Sequence, residues 1–275
     1  MNFVLVHLGD KIPNHFKYCI KQILYTNPNS DIYIITNMDI LVDNFRINII
    51  NTKDLIIPDI GGYYQNDPMS ALFRNAMLRI FYINEFMNKH NMENVIHFDN
   101  DVLIYEEMDN FKDQLNKFNF LITPSNDKDY TFGFSYFKNN QKLNIVAEKL
   151  KELVLQGEAK LEQDLKTMPH EMRLLKYVNE INNFSIIDLF PILPEGLHST
   201  NYNLFNMCFD PLPYGQFLGG LAPEPHHYIG QNVINGTVKI GFKNKKPYGL
   251  YNNKEYKIAN LHVWGKQLNN FISYE

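Results

Sequence analysis

Residues 95–105 have the sequence VIHFDNDVLIY, in which an apolar run ends on two aspartates, Asp99 and Asp101, before a second apolar run begins. A short continuous apolar run is typical of a strand that is buried on both faces of a sheet. In an extended chain, the side chains at positions i and i+2 point to the same face. We therefore expect both carboxylates to lie together where this strand ends.

Two neighbouring carboxylates raise each other's pKa, and burying ionised groups is costly unless a positive charge compensates them. A divalent cation would do so, because Mg²⁺ and Mn²⁺ bind carboxylate oxygens and leave other positions to water and phosphate. The alternative is a solvated turn at the end of a strand, which any Asp-Asn-Asp sequence can form. Taken alone, the segment leaves both interpretations open.

The preceding residues predict a sheet with parallel strands. Residues 3–8 (FVLVHL) and 31–36 (DIYIIT) are apolar runs, and a helix is expected between them over residues 14–25, so residues 3–36 form a βαβ unit. A third strand is expected over residues 46–50. Because open α/β sheets bind ligands at the carboxyl ends of their strands, the two aspartates lie at a favoured position for a site.

A long helix is expected over residues 70–89, immediately before the acidic strand. Five apolar positions follow the helical period and predict one buried face: Leu72, Ala76, Ile80, Ile83 and Met87. The same helix contains Arg74 and Arg79, two of only four arginines among the 26 lysines and arginines of the chain. Five positions separate them, about 140° around a helix, so we expect only one of them to reach the site.

Further strands are expected over residues 120–123 and 131–137, and helices over residues 143–155 and 171–181. From residue 184 onward, the chain is rich in proline, glycine and aromatic residues, with only short apolar runs. We therefore expect one domain over residues 1–275, an α/β half (1–110) with an irregular C-terminal half (111–275) packed on it.

Composition excludes several classes of protein. The 275 residues are 45% hydrophobic and have a net charge of −4, unlike a disordered chain or a protein that coats nucleic acid. The two cysteines, Cys19 and Cys208, cannot form a disulfide framework. The first residues lack a basic region before an apolar stretch, and no apolar run approaches the length of a membrane span. We expect a cytoplasmic protein without a transmembrane segment.

The order of these motifs resembles that of the GT-A fold, found in metal-dependent nucleotide-sugar glycosyltransferases, and of glycogenin-like enzymes in particular. The resemblance implies an α/β fold with a mixed, mainly parallel central sheet flanked by helices. It also implies transfer of a sugar from a nucleoside diphosphate, UDP in the first instance, to a glycan or another hydroxyl acceptor. It further implies an enzyme of the bacterial or large-virus surface-glycan type, with a role in polysaccharide biosynthesis. Residues 1–110 would then bind the nucleotide, and residues 111–275 the acceptor.

The resemblance also assigns roles, residue by residue, and the cofactor would be Mn²⁺ or Mg²⁺. The metal ligands would be Asp99, Asp101 and His262, the last in the C-terminal segment NLHVWGK. The residues that contact the donor would be Arg79, Asp99, Asn100, Gln216, Gly265 and Lys266.

Two departures from the family pattern concern Thr131, where many members have asparagine, and Lys266, which directly follows Gly265 instead of lying three residues beyond it. An inverting enzyme also needs a base for the acceptor hydroxyl. Glu171, at the start of a helix, and Asp210 are the two candidates for this role.

The sequence leaves two other functions open. A phosphatase of the haloacid dehalogenase type also has Asp-x-Asp after an apolar strand, but its pattern has Gly, Ser or Thr where this chain has Val102. A module that binds nucleotide sugars or glycans without turnover would retain most of the same residues.

Overall fold

The computed structural model describes residues 1–64, 70–221, 227–265 and 267–274. The strands are β1 Asn2–His7, β2 Asp31–Thr36, β3 Ile47–Asn51, β4 Val95–Phe98, β5 Val102–Ile104, β6 Phe120–Pro124, β7 Tyr130–Phe137, β8 Asp188–Leu189, β9 Val238–Lys243, β10 Lys246–Tyr251, β11 Lys254–Lys257 and β12 Asn260–His262. The helices are α1 Phe16–Thr26, α2 Ser70–His90, α3 Lys112–Leu115, α4 Gln141–Val154, α5 Glu158–Leu165, α6 Glu171–Ile181, α7 Tyr202–Phe205, α8 Pro213–Leu218 and α9 Tyr228–Ile234.

Seven strands form the central sheet, in the order β3-β2-β1-β4-β7-β6-β8. The pairs β3-β2, β2-β1, β1-β4 and β6-β8 are parallel, and β7 is antiparallel to both of its neighbours. Two smaller sheets, β11-β10-β9 and β12-β5, belong wholly or partly to the C-terminal half. The predicted fold class, a mixed and mainly parallel sheet with an irregular C-terminal half, is confirmed.

Both faces of the sheet are covered, which explains why the first strand is apolar at nearly every position. Phe3 and Leu5 pack in one core cluster with α1 and with C-terminal residues such as Leu261. Val4, between them, packs in the other cluster with residues of α2, α4 and α6. The first cluster draws on residues from both sides of position 110, and the division into two functional halves stays a prediction.

The predicted buried face of α2 is correct except at its start. Ile80, Ile83 and Met87 are buried, but Ala76 is only partly covered and Leu72 is 57% exposed. Helical period alone placed Leu72 on the buried face. In the structure, the first turns of α2 line an open cleft. Leu72 lies on the face of the helix that is buried further along, but at its own level there is no core for it to pack against.

The pairing of β5 with β12 could not be predicted from the local sequence. It places Leu261 opposite Leu103 and His262 opposite Val102 in an antiparallel register. Because both strands are only three residues long, neither had a strong local signal. This pairing connects the C-terminal segment to the residues that follow the acidic strand.

Both cysteines are buried free thiols. Cys19, on α1, donates a hydrogen bond from Sγ to the Val102 carbonyl at 3.0 Å. Among the helices of the described residues, none is both long enough and apolar enough to cross a bilayer.

Candidate metal centre and cleft

The two aspartates lie in a turn, and this corrects the extended geometry predicted for them. β4 ends at Phe98, and the Val102 N–H donates to the Asp99 carbonyl at 3.0 Å, closing a turn over residues 99–102. The Asp99 N–H donates to the Gly133 carbonyl at 2.9 Å, which fixes the start of the turn on β7. The carboxylates converge because the turn brings them together, not because they alternate along a strand.

His262 reaches these carboxylates through the pairing of β12 with β5. Next to His262, the Val263 N–H donates to the Asp101 carbonyl at 2.8 Å. His262 Nε2 lies 3.2 Å from Asp101 Oδ1. One ligand atom from each of Asp99, Asp101 and His262 lies within 4.8 Å of the others. The structure thus brings together the three residues that the sequence analysis assigned to one metal ion.

Gly133 forms the wall behind this cluster. A Cβ at this position would lie 2.7 Å from Asp99 Oδ2 and 2.9 Å from His262 Cε1, so only glycine leaves room for both side chains. Two carboxylates and one imidazole are suitable ligands for Mn²⁺, and Mg²⁺ accepts the carboxylates. By donor chemistry and by this close packing, the residues present fit a divalent cation.

We expect Gly133→Ala to weaken metal binding by about 10- to 100-fold, the range typical of changes that disturb ligand orientation. The added methyl group would push Asp99 and His262 away from their present positions. Titration with Mn²⁺, followed by calorimetry, measures the affinity. Gly9→Ala is the control for a tolerated glycine substitution, since a Cβ there would approach His7 no closer than 3.8 Å, an ordinary contact distance. Unchanged affinity in Gly133→Ala would show that the space at Gly133 is not needed for metal binding.

Arg79 joins the first aspartate to a third carboxylate. Its Nη1 pairs with Asp99 Oδ1, and its Nη2 lies 2.9 Å from Glu171 Oε1. Burial alone would raise the pKa of Asp99, but the Arg79 guanidinium holds the pKa of that carboxyl well below its ordinary value. Burial opposes the charge on Arg79 as well, yet Asp99 and Glu171 raise its pKa above the ordinary value. Both groups of the pair are therefore charged near neutral pH.

Arg74, on the same helix, does not reach the cluster. Its Nη1 donates to the carbonyls of Gly61 and Tyr63 at 3.0 and 2.9 Å. The angular separation of the two arginines, estimated from helix geometry, therefore agrees with their different partners.

His97, which lies behind Asp99, was not among the residues predicted from the sequence. Its Nδ1 is 3.0 Å from the Val4 carbonyl, and its Nε2 is 3.5 Å from Asp99 Oδ1. Burial lowers the pKa of His97. A signal was present, because His97 and Asp99 are two positions apart and a strand directs such side chains to one face.

A cleft of about 440 Å³ opens above the cluster. It lies at the ends of β1 and β4, which are neighbours in the sheet. From β1 the chain continues on one side, to β2 and β3, and β4 then lies on the other side of β1. Such a switch point is where open α/β sheets form ligand crevices. Its lining comes from the end of β1, the first turns of α2, the turn at Asp99, and the segments around Glu171 and His262.

Asn100 lines the part of the cleft next to β1. Its Oδ1 lies 3.1 Å from His15 Nε2, and its Nδ2 lies 3.4 Å from His7 Nδ1. His7 Nε2 lies 3.0 Å from the Lys11 carbonyl, and the tautomer that donates there leaves Nδ1 as an acceptor for the Asn100 amide. The polar side chain of Asn100 is thus held at the expected nucleotide end of the site.

Asp210 has a different environment from the one a catalytic base needs. The carboxylate is 1% exposed and accepts four backbone hydrogen bonds, from residues 212, 214, 215 and 262, at 2.8 to 3.0 Å. Burial raises the pKa of Asp210, although the donors at His262, Gly215 and Leu212 oppose this shift. Asp210 does not line the cleft.

Two of the remaining predicted donor contacts, Gln216 and Gly265, are not brought into the cleft. Gln216 is buried on α8, and its Oε1 has no hydrogen-bond partner among the described residues. Gly265 lies in the turn after Trp264, near Leu221. Neither residue is part of the cleft lining, and Lys266 lies outside the described residues.

Glu171 is held in the cleft by the way α6 begins. The next turn of this helix is fixed by Arg173, whose Nε and Nη2 lie 2.7 and 3.1 Å from the two carboxylate oxygens of Asp129. His170, which precedes α6, accepts a hydrogen bond from the Arg173 N–H. This arrangement directs Glu171 towards Arg79.

The free energy of unfolding should depend on pH through the carboxyl group of Asp129. Burial alone would raise its pKa, but hydrogen bonds from Arg173 and Asn126 lower it below its ordinary value. A carboxyl with a depressed folded-state pKa stabilises the fold above its unfolded pKa of about 3.9 and loses that contribution as pH falls through the folded value. We therefore expect the free energy of unfolding to fall less for Asp129→Asn than for the wild type between about pH 5 and about pH 3.

Urea unfolding at several pH values measures this difference, with Asp113→Asn as the exposed control. Parallel curves for Asp129→Asn and the wild type would show that the Asp129–Arg173 pair has no role in acid stability.

Fold and site together define an α/β protein with a candidate divalent-metal centre at the carboxyl edge of its main sheet. By sequence, no protein-family model and no curated protein matches the chain. By structure, it is similar to the glycosyltransferase GlyE of Streptococcus pneumoniae, at 13% identity and a TM-score of 0.43, over 80% of this chain and 48% of that one. This chain thus spans about half the length of GlyE.

Two other similar structures are mouse xyloside xylosyltransferase 1 and the galactosyltransferase LgtC. The first has 8% identity and a TM-score of 0.46, over 76% of this chain and 94% of that one. The second has 11% identity and a TM-score of 0.38, over 74% and 78% of the respective chains. Likenesses at this level do not define an activity, which must be inferred from the site itself.

Proposed function

We propose that this chain is a metal-dependent glycosyltransferase that moves a sugar from a nucleoside diphosphate to a hydroxyl group of a glycan. The observation that supports this most strongly is the grouping of Asp99, Asp101 and His262 within 4.8 Å, at the floor of a cleft at the sheet's switch point. UDP sugars are the first donors to test, with Mn²⁺ or Mg²⁺ as the cofactor.

The charge of the cleft supports a requirement for a cation. Its described ionisable lining comprises three carboxylates, one guanidinium and two imidazoles. The guanidinium, on Arg79, is already paired with two of those carboxylates, Asp99 and Glu171. A diphosphate brought to this surface alone would meet net negative charge, so its binding needs a metal ion on the carboxylates.

The transfer step itself can be written from general chemistry. The acceptor hydroxyl oxygen bonds to the anomeric carbon, and the bond from that carbon to the diphosphate oxygen breaks with its electron pair on the diphosphate. The hydroxyl proton passes to a carboxylate or to the departing diphosphate. A bound divalent ion would supply electrostatic stabilisation of the charge that develops on the diphosphate.

The residues of this chain would divide the remaining tasks. Asp99, Asp101 and His262 would hold the ion, and Gly133 leaves the space that their side chains need. Arg79 orients Asp99 and adds positive charge beside it. The cleft walls would exclude water from the donor, which strengthens every electrostatic contact inside.

The two candidates for the base differ in access. Glu171 is only 5% exposed, but its side chain lines the cleft, and Arg79 pairs with its Oε1, so Oε2 is the atom that would accept a proton from an acceptor hydroxyl. A carboxylate has about four lone-pair sites, and those of Asp210 already accept four backbone N–H groups. We infer that Glu171 is the better candidate for the base and that Asp210 positions the backbone of His262.

Substitutions at these two carboxylates should therefore have different effects. We expect Glu171→Gln to lower the rate of transfer by about 10²- to 10⁴-fold, the usual contribution of general base catalysis, with metal affinity retained. Asp210→Asn replaces an acceptor by a donor facing backbone N–H groups, so we expect weaker Mn²⁺ binding and a lower melting temperature. Steady-state kinetics and Mn²⁺ titration separate the two results.

A double variant tests whether Asp210 acts through His262. If it does, Asp210→Asn should cause no further loss of Mn²⁺ affinity in a His262→Ala background, since energies of coupled residues are not additive. Full activity in Glu171→Gln and in Asp210→Asn would remove both the role of Glu171 as base and the positioning role of Asp210.

The proposed function is tested by incubating the protein with a panel of nucleoside-diphosphate sugars, with Mn²⁺ or with EDTA. We expect metal-dependent release of one nucleoside diphosphate, and faster release with an acceptor present. Metal-dependent binding without turnover would instead favour a non-catalytic module. Metal-dependent hydrolysis of p-nitrophenyl phosphate, without donor turnover, would favour a phosphatase.

A further inference from the structure

The single tryptophan of the chain, Trp264, lies in the wall of the cleft. It is 51% exposed, although it follows the buried residues His262 and Val263. A tight turn, in which the Trp264 N–H donates to the His262 carbonyl at 3.0 Å, fixes its backbone. Large aromatic side chains are usually well covered, so one held open beside a metal centre is a candidate contact surface.

A second apolar side chain of the lining has the same unusual exposure. Leu72, on the first turns of α2, is 57% exposed and belongs to the same cleft lining. The cleft therefore combines a floor of ionised side chains with apolar surface contributed by two separate segments. Sites of this composition bind molecules that have both a polar edge and an apolar face.

The donor does not account for Trp264. A nucleoside would occupy the crevice between the ends of β1 and β4, where His7 and Asn100 line the cleft. The diphosphate would lie over the metal ligands. Trp264 belongs to neither segment, since it lies two residues beyond the third ligand, in the turn after β12. Because the Val263 N–H donates to the Asp101 carbonyl, the backbone of Trp264 lies next to the metal ligands, where the reacting end of a bound donor would be.

Charge limits what can occupy this place. Among the described residues that line the cleft, the one permanent cation is Arg79, whose Nη1 and Nη2 both bind carboxylates. Those residues offer nothing to compensate a second anion besides the diphosphate. The described lining has three carboxylates, so with a diphosphate bound as well, Arg79 and one divalent ion leave net negative charge there, and this charge disfavours an acceptor that bears a carboxylate or phosphate.

We propose that Trp264 is a stacking platform for a neutral sugar of the acceptor glycan, an inference that rests on the proposed function. A pyranose ring presents C–H groups on one face and hydroxyls around its edge. Its C–H face would pack on the indole ring, and an edge hydroxyl would point towards the anomeric carbon of the donor. This makes Trp264 a determinant of acceptor specificity.

Because it is the only tryptophan, Trp264 reports its own environment. With Mn²⁺ and UDP present, titration with lactose, maltose and cellobiose should shift the wild-type fluorescence emission to shorter wavelength for at least one sugar. Phe217→Ala is the matched control, since Phe217 is 41% exposed but outside the cleft lining, and should respond as the wild type does. No shift with any of these sugars would count against the platform.

Kinetics then separates the acceptor from the donor. Trp264→Ala should raise the KM for the best of these sugars by roughly tenfold, the upper range for a lost aromatic contact, while Trp264→Phe stays within about threefold. Donor hydrolysis without acceptor should keep its kcat and KM in both variants. An unchanged acceptor KM, or an equal rise in the donor KM, would overturn the proposal.

Charged sugars test the proposed preference for a neutral acceptor. Glucose 6-phosphate and glucuronate should bind more weakly than glucose to the complex with Mn²⁺ and UDP, and tighter binding would overturn the preference for a neutral acceptor. If the wild type turns over no donor but its fluorescence responds to neutral sugars, the proposed transfer fails while the sugar platform stands.

Discussion

Asp101→Asn is expected to reduce metal-dependent release of nucleoside diphosphate by roughly 10³-fold. A metal ion contributes several kcal/mol to stabilising transition-state charge, and each 1.36 kcal/mol corresponds to about a factor of ten in rate. Asn has the same shape as Asp but no charge, so it keeps the packing of a side chain that is only 3% exposed. The loss should therefore come from the ion, with little change in the fold.

His262→Ala should cause a similar loss by removing the third ligand. Calorimetric titration with Mn²⁺ in the absence of donor should show weaker binding in both variants, and circular dichroism should show an unchanged fold. Asp113→Asn and His90→Ala are the controls, because they make the same two substitutions at exposed positions. Intact metal-dependent turnover in Asp101→Asn and His262→Ala would show that the proposed site is wrong.

The elements that local pattern specifies were predictable from the sequence. β2 and α6 have the bounds expected from their apolar pattern, and β1, α1 and β7 differ by one or two residues. Their signals are local, because burial on both faces of a sheet or on one face of a helix imposes a period on the residues themselves.

The site depends on contacts between residues that are far apart in the sequence. The local apolar pattern contains no information about such contacts. The acidic residues were found because Asp99 and Asp101 follow an apolar strand, but the turn that unites them is set by the register of β4 on β7. His262 was suggested by a family resemblance, whereas the physical reason for its position is the three-residue pairing of β12 with β5. No periodicity in the sequence reports such a pairing.

Asp210 illustrates the converse limit. Its sequence context suggested a catalytic role, yet its carboxylate oxygens accept hydrogen bonds from backbone N–H groups of a loop and of β12. An acidic residue in a segment rich in Pro and Gly can be a base or a loop anchor, and only the count of its partners distinguishes them.

The rarity of arginine proved more informative. In the structure, Arg46 donates to backbone carbonyls beyond α1, Arg74 to those of a loop, and Arg79 and Arg173 pair with carboxylates. Each uses more than one contact, which a lysine ammonium cannot reproduce with the same fixed geometry.

Arg79→Met is expected to destabilise the fold by about 3 to 5 kcal/mol, because it leaves two carboxylates in a largely buried site without their counter-charge. Asp99 and Glu171 both depend on this one guanidinium. Arg79→Lys should recover only part of the loss, since an ammonium group does not present two donors in a planar fork. Urea unfolding near neutral pH measures the free energy of each variant.

The same variant provides a test of the metal site that does not depend on turnover. If Asp99 binds the ion, Mn²⁺ should raise the melting temperature of Arg79→Met more than that of the wild type, because the cation supplies the missing positive charge. Arg74→Met is the matched control, on the same helix but with carbonyls as its hydrogen-bond partners among the described residues, and Mn²⁺ should affect its stability as it affects the wild type. Equal stabilisation of Arg79→Met and Arg74→Met by Mn²⁺ would separate Arg79 from the metal centre and leave its ion pairs with a structural role only.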